Sequence, residues 1–309
     1  MVLLVAALLP ETALAQSLNG FDLSGALIPV DEILSGGPTR DGIPAIDAPA
    51  FVTASQAGFL ADAGRVLGLK RNGVAKAYPI AILNWHEVVN DRFGDEPVVI
   101  TYCPLCGSGI AFLADIDSRP RAFGVSGLLY NSDVLLYDRQ SESLWSQIMM
   151  QAVSGPQRGA TLTPVPLAHT SWADWRSRHP ETLVLSTDTG FHRDYDRDPY
   201  LGYAGSNRLF FPVTGTDPRY QPKDWVIGIG INGRYKAYPF RELAKTGGVI
   251  TDTVGGKTVH VQYSARHQSA TIADESGNAL TGITAFWFAW YTFHPDTAVF
   301  RLPEGDRAR

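Results

Sequence analysis

The two cysteines of the chain stand three positions apart in VVITYCPLCGSG, residues 98–109. The β-branched residues before Cys103 predict a strand, and Pro104 and Gly107 predict a tight turn after it. Such a turn can direct the thiols of Cys103 and Cys106 to one point, which is how metal-binding knuckles are built. The pair therefore favours a metal site, with a redox dithiol and a structural disulfide as the alternatives.

A metal held by these cysteines needs further ligands from histidine, carboxylate, tyrosine or water, because the chain contains no third cysteine. In the segment ILNWHEVVND, Ile82, His86 and Val89 share one face of a predicted helix, and that face should point into the core. We therefore predict His86, with Cys103 and Cys106, as the metal ligands. A hydrogen-bonded core histidine is the alternative interpretation.

Two further side chains are predicted to take part in the chemistry, so that the catalytic set is Cys103, Cys106, Tyr102 and Asp133. Tyr102 can donate a hydrogen bond or bind an ion, although a buried tyrosine whose hydroxyl finds a partner is the commoner case. Asp133 belongs to a group of polar residues that form either a wall over the thiols or the solvated side of a sheet. This group is Asn131, Asp133, Asp138, Arg139 and Glu142.

Two thiolates, one imidazole and an open position suit copper first and zinc second. Because an open position admits substrate or dioxygen, the set favours a copper-dependent oxidoreductase. One alternative is a metal-free thiol-disulfide oxidoreductase, although its cysteine pair usually begins a helix and Gly107-Ser108-Gly109 is poor helix sequence. A non-enzymatic metal-carrying or scaffold protein is the other.

The elements that position these residues recur along the chain. VLGLKRNGVAKAYPI at 66–80 aligns with VIGIGINGRYKAYPF at 226–240, and each copy carries an Asn-Gly turn typical of a β-hairpin. Strand patterns outnumber helix patterns throughout the chain. We therefore predict a β-rich α+β fold in a single domain, residues 16–309. Two diverged copies of a hairpin-helix-strand unit, about 65–112 and 225–273, are joined by a strand-rich segment in one compact body.

The first fifteen residues, MVLLVAALLPETALA, combine an apolar run with a small-residue cleavage pattern and predict a signal peptide. We expect a periplasmic or secreted protein without a transmembrane segment. The net charge of −5 and the absence of a Lys/Arg cluster argue against a nucleic-acid partner. A small molecule or an exported protein remains the expected substrate, and the sequence does not identify it.

Five segments together resemble the bacterial family of domain of unknown function 3179 (DUF3179) over about residues 40–300: NWHEVVND, ITYCPLCGSG, SGLLYNSDVLLYDRQSESLWSQ, PETLVLSTDTGFHRDYDRDPY and GRYKAYPF. The family motifs H-E-x-V-N-D and Y-C-P-L-C-G-S correspond to His86–Asp91 and Tyr102–Ser108. The resemblance implies an exported protein and supplies no reaction.

Overall fold

The computed structural model describes residues 16–302. The predicted signal peptide, residues 1–15, lies outside the described residues. The helices are short. Two of them connect different sheets, α1 (Ile80–His86) and α3 (Phe240–Leu243), and two connect strands of one sheet, α2 (Trp172–Arg178) and α4 (Trp287–Phe293). A 3-10 turn lies at Val30–Glu32.

Strands make up most of the regular structure. In chain order they are β1 (Ser17–Leu18), β2 (Phe21–Asp22), β3 (Ile33–Ser35), β4 (Phe51–Thr53), β5 (Arg65–Arg71), β6 (Val74–Pro79), β7 (Val88–Phe93), β8 (Glu96–Cys103), β9 (Ser108–Leu113), β10 (Asp115–Ile116), β11 (Arg119–Pro120), β12 (Phe123–Tyr130), β13 (Asp133–Asp138), β14 (Leu144–Ser146), β15 (Gln151–Ser154), β16 (Thr163–Val165), β17 (Ala168–Ser171), β18 (Leu183–Leu185), β19 (Trp225–Ile231), β20 (Arg234–Pro239), β21 (Val249–Val254), β22 (Lys257–Ser264), β23 (Ser269–Ala273), β24 (Ala279–Leu280), β25 (Ile283–Phe286) and β26 (Ala298–Val299).

Five sheets of four or five strands form a β-rich five-bladed β-propeller in which 10% of the residues are helical. Their strand orders are β15-β14-β13-β12-β3, β16-β9-β8-β7, β17-β5-β6-β18-β4, β25-β19-β20-β26 and β21-β22-β23-β24. We call the first of these the aspartate blade and the second the cysteine blade, after the residues of the site that they carry. The pairs β1-β2 and β10-β11 are separate two-stranded ribbons.

The predicted α+β fold of two hairpin-helix-strand copies is wrong. In each of the segments 65–112 and 225–273, the hairpin belongs to one blade and the strands after the helix belong to another. With seven and four residues, α1 and α3 are connections between blades and do not form a layer over a sheet. Local spacing predicts a hairpin or a helix, but it does not specify which sheet a strand joins.

The two Asn-Gly turns are hairpin turns, as predicted. Asn72 and Gly73 have φ values of 48° and 78°, and they join β5 to β6. Asn232 and Gly233 have φ values of 50° and 71° and join β19 to β20 in the same register. Positive φ at both central residues matches the right-handed twist of the paired strands, which explains the choice of Asn-Gly.

Candidate metal centre

Cys103 ends β8 and pairs with Ser108, the first residue of β9, and Cys106 lies in the turn between these strands. Gly107 has φ of 63° there, and a Cβ at this position would lie 2.7 Å from the ring of Trp225. Glycine therefore satisfies both the backbone conformation and the packing. The backbone N–H of Phe286 donates to the Cys106 carbonyl at 2.8 Å, which fixes the turn against β25.

Asp133 reaches the same place from the aspartate blade. It follows a two-residue turn in which Asn131 and Ser132 have φ values of 52° and 64°, and it pairs with Tyr130 across the β12–β13 hairpin. Its Oδ2 accepts hydrogen bonds from the Ile148 N–H at 3.0 Å and from the Ser146 hydroxyl at 3.4 Å. Its Oδ1 is buried without a hydrogen-bond partner.

The donor atoms of Cys103, Cys106 and Asp133 all lie within 4.8 Å of one another, and all three side chains are buried. Among the described residues they are the one group of three or more histidine, cysteine or acidic residues with this geometry. Both cysteines are free thiols, and they donate to the carbonyl of Ser132 at 3.6 Å from Cys103 and 3.4 Å from Cys106. We call these three residues the donor cluster.

Burial dominates the electrostatics of the donor cluster. It raises the pKa of Asp133 to about 7, although the hydrogen bonds from Ile148, Val134 and Ser146 act in the opposite direction. Burial, followed by the hydrogen bond with Cys103, raises the pKa of the Cys106 thiol well above its ordinary value. The ion pairs formed within residues 16–302 do not include Asp133. A cation bound here would compensate the charge of the buried Asp133 carboxylate.

A buried polar network holds the two blades together beside the donor cluster. The Ser108 hydroxyl donates to Gln147 Oε1 at 2.6 Å, and Gln147 Nε2 donates to Thr101 Oγ1 at 2.9 Å. The Thr101 hydroxyl in turn donates to the carbonyl of Ile110 at 2.7 Å. Because each bond joins buried groups, the network fixes the cysteine turn relative to the chain that follows β14. Gln147 was assigned no role from the sequence, although it ends the family-resembling segment SGLLYNSDVLLYDRQSESLWSQ.

His86 does not belong to the donor cluster. Its Nδ1 lies 2.7 Å from the carbonyl of Pro44, and its Nε2 lies 2.7 Å from the hydroxyl of Tyr195. A carbonyl only accepts, so Nδ1 carries the proton and the Nε2 lone pair of the neutral ring accepts from Tyr195. Burial lowers the pKa of His86, which favours this neutral form. Both nitrogens are therefore engaged, and the structure does not bring the predicted third ligand to the cysteines.

Tyr102 lies next to the donor cluster without joining it. Its backbone N–H donates to the carbonyl of Glu87 at 2.8 Å, and its ring makes an edge contact with His169 at 6.3 Å. Burial, followed by the charge of Cys103, raises the pKa of its hydroxyl. Tyr102 is thus placed beside the thiols, and its predicted catalytic role stays a prediction.

The other predicted polar residues serve separate contacts. Asp138 accepts from Arg121 at 3.2 Å and from the Trp145 indole at 3.0 Å, so it is part of the aspartate blade's own structure. Glu142 pairs with Arg40 at 2.8 Å on the surface. Among the polar residues of this segment, only Asp133 is a member of the donor cluster.

Glu87 is a buried residue to which the sequence analysis assigned no role. It follows α1 with φ of 59°, an unusual conformation for a non-glycine residue, and it is 7% exposed. Burial, followed by the charge of Asp133, raises the pKa of its carboxyl to about 8. Its place after His86 in the H-E motif was the available signal.

The geometry defines the class of the protein: a β-rich propeller with a buried Cys-Cys-Asp donor group. Residues 40–297 match the family described as "Protein of unknown function (DUF3179)", which covers most of the chain. The chain belongs to this family, as its motifs predicted. No curated protein and no solved structure gives a significant match. Within residues 16–302, the structure contains no helix that is both long and apolar enough to cross a membrane.

Proposed function

We propose that the protein is a metalloprotein of an exported compartment, with one metal ion bound by Cys103, Cys106 and Asp133. The observation that carries the proposal is the Oδ1 atom of Asp133, which is buried without a partner in a group whose donors lie within 4.8 Å of one another. A buried carboxylate oxygen without a partner costs free energy, and a bound cation removes that cost.

The distances suit a small tetrahedral ion. Zinc bonds to sulfur at about 2.3 Å and to oxygen at about 2.1 Å, which places its donors roughly 3.5–4 Å apart. The donors of the cluster, which all lie within 4.8 Å of one another, are close enough together for this spacing. Three protein donors leave a fourth position for water or a substrate.

We place zinc before copper, in contrast to the order that the sequence favoured. That order assumed imidazole as the third donor, whereas the third donor of the cluster is a carboxylate. Zinc accepts thiolate and carboxylate together, but copper sites are built mainly from softer thiolate, thioether and imidazole donors. A copper-dependent oxidoreductase becomes the better proposal only if the native ion is copper.

The burial of the thiols argues against a metal-free dithiol. Disulfide exchange needs an accessible thiolate with a lowered pKa. Cys103 and Cys106 are 1% and 0% exposed, and burial raises the pKa of Cys106. These properties favour thiols that ionise when they bind a metal ion.

The test is a titration of the reduced, metal-free protein with Co²⁺, a spectroscopic substitute for zinc. We expect sulfur-to-cobalt charge-transfer absorption that saturates at one ion per chain and is displaced by Zn²⁺. Asp133→Asn should weaken cobalt binding at least tenfold, and Asp115→Asn, which changes an exposed aspartate, should not. A wild-type protein without thiolate-cobalt absorption contradicts the proposal.

A further inference from the structure

A long segment without helix or strand, residues 186–224, runs between β18 and β19, and part of it contacts residues next to the donor cluster. Ser132, whose carbonyl accepts from both thiols, donates through its hydroxyl to the carbonyl of Phe211 at 3.0 Å. Asn131 accepts from the backbone N–H of Thr214 at 2.7 Å. We call residues 186–224 the covering segment.

Three consecutive residues at the end of α1 hold the covering segment. Asn84 Nδ2 donates to the carboxylate of Asp198 at 3.0 Å, and the Trp85 indole donates to the carbonyl of Arg197 at 3.1 Å. His86 accepts from the Tyr195 hydroxyl at 2.7 Å. We call these three bonds the α1 latch. The α1 latch gives the sequences N-W-H and D-Y-D-R-D a structural role. This role does not require His86 to bind a metal.

Tyr200, just after the latched residues, connects the surface to the donor cluster. Its ring packs against the hydrophobic core that contains Cys103 and Cys106. It also lines an open surface depression of about 430 Å³, together with Trp85 and Ile43. Tyr200 therefore contacts both this depression and the core that contains the buried thiols.

The covering segment contains a fixed part and a less firmly held part. Lys223 Nζ donates to the carbonyls of Tyr203, Ser206 and Arg208 at 2.8, 2.6 and 2.6 Å, which fixes the turn that they form. Residues 191–202 have no such anchor and no strand partners, and two of the three latch bonds are exposed to solvent. Segments with few buried bonds open at lower free energy than the sheets around them.

We propose that residues 191–202 are a gate over the donor cluster, that the α1 latch closes it, and that a metal ion enters and leaves past Tyr200. The identity of the passing ion rests on the proposed function, but the gate itself does not. Opening requires the latch bonds to break while the blades stay folded.

The test measures the labelling rate of Cys103 and Cys106 by Ellman's reagent in the reduced, metal-free protein under native conditions. Buried thiols react only after an opening, so the rate reports the open population. Asn84→Ala and Tyr195→Phe each remove one latch bond, and each should raise the labelling rate about 2- to 10-fold. His192→Ala, which removes an exposed side chain of the same segment, should leave the rate unchanged.

The free energy of unfolding of each variant, from urea denaturation, separates gating from global unfolding. Faster labelling with an unchanged free energy of unfolding supports the gate. An unchanged labelling rate in both latch variants overturns the gate. The gate is also overturned if the rate increases only as much as the lower free energy of unfolding predicts. Because the assay contains no metal, its result tests the gate even if the proposed metal site is wrong. If zinc does bind, the latch variants should also release it faster to a chelator.

Discussion

Asp133 and Cys106 belong to different blades, yet their donor atoms lie within 4.8 Å of each other. Asp133 begins β13 after a two-residue turn, and Cys106 lies in the turn before β9. An ion bound to both therefore joins the aspartate blade to the cysteine blade. Metal binding should stabilise the fold by an amount that grows with the free ion concentration.

Removal of the ion should lower stability without unfolding the protein. At a free zinc concentration 100 times its dissociation constant, the loss on chelation should be about 2.7 kcal/mol. Thermal unfolding with zinc and with a chelator measures it. The Cys103→Ser/Cys106→Ser variant is the control, and an equal response to zinc in that variant would place the ion elsewhere.

The variant His86→Ala should keep its full metal content and lose stability. The substitution leaves the Pro44 carbonyl without its partner and leaves the Tyr195 hydroxyl with Thr189 alone, which costs about 1–3 kcal/mol. Urea denaturation measures the stability, and elemental analysis measures the metal. Loss of the ion from a folded His86→Ala protein would restore histidine as a ligand.

The variant Gly228→Ala should be destabilised by overpacking. A Cβ at this position would lie 2.4 Å from the ring of Trp290, which is itself fixed by a hydrogen bond to Thr297 at 2.9 Å. Forcing the ring to move should cost about 1–3 kcal/mol. Gly58→Ala is the matched control, because no atom lies within 4 Å of its added Cβ. Equal free energies of unfolding for the two variants would contradict the prediction, because they would show that the Trp290 ring moves without a cost in stability.

Acid should weaken the fold through His294, which stacks on Tyr235 at 4.0 Å. Burial lowers the pKa of His294 from 6.5 to about 4. Between these two values the unfolded chain binds a proton that the folded protein does not, so stability falls as the pH falls. Below about pH 4 this contribution stops changing.

His294→Phe should reduce the slope of unfolding free energy against pH between pH 6.5 and 4. The exposed His192→Phe variant serves as the control and should keep the wild-type slope. Urea denaturation at a series of pH values measures both, and an unchanged slope in His294→Phe would exclude this histidine as a source of the acid sensitivity.

The sequence located the cysteine turn because that turn is local. Proline, glycine and two cysteines within five residues determine where the thiols of Cys103 and Cys106 lie relative to each other. The third donor is not local, since Asp133 reaches the turn only through the packing of one blade against another. His86 matched a helical pattern, but α1 ends at His86 and directs that ring to Pro44 and Tyr195.

The fold was predicted in its parts and missed as a whole. The Asn-Gly hairpins follow from turn chemistry, which two residues specify. The division of each predicted copy between two blades depends on contacts between residues far apart in the chain, which spacing along the sequence does not encode. Glu87 was given no role for the same reason, because its burial depends on elements other than α1, which it follows.

The metal centre is tested most directly by elemental analysis of the protein purified without chelators, beside the Asp133→Asn and Cys103→Ser/Cys106→Ser variants. We expect one zinc ion per wild-type chain, a reduced content in Asp133→Asn and none in the double cysteine variant. Copper in place of zinc would keep the site and correct the ion. A wild-type protein that holds no metal, even after anaerobic reconstitution with Zn²⁺ or Cu⁺, would contradict the metal centre itself.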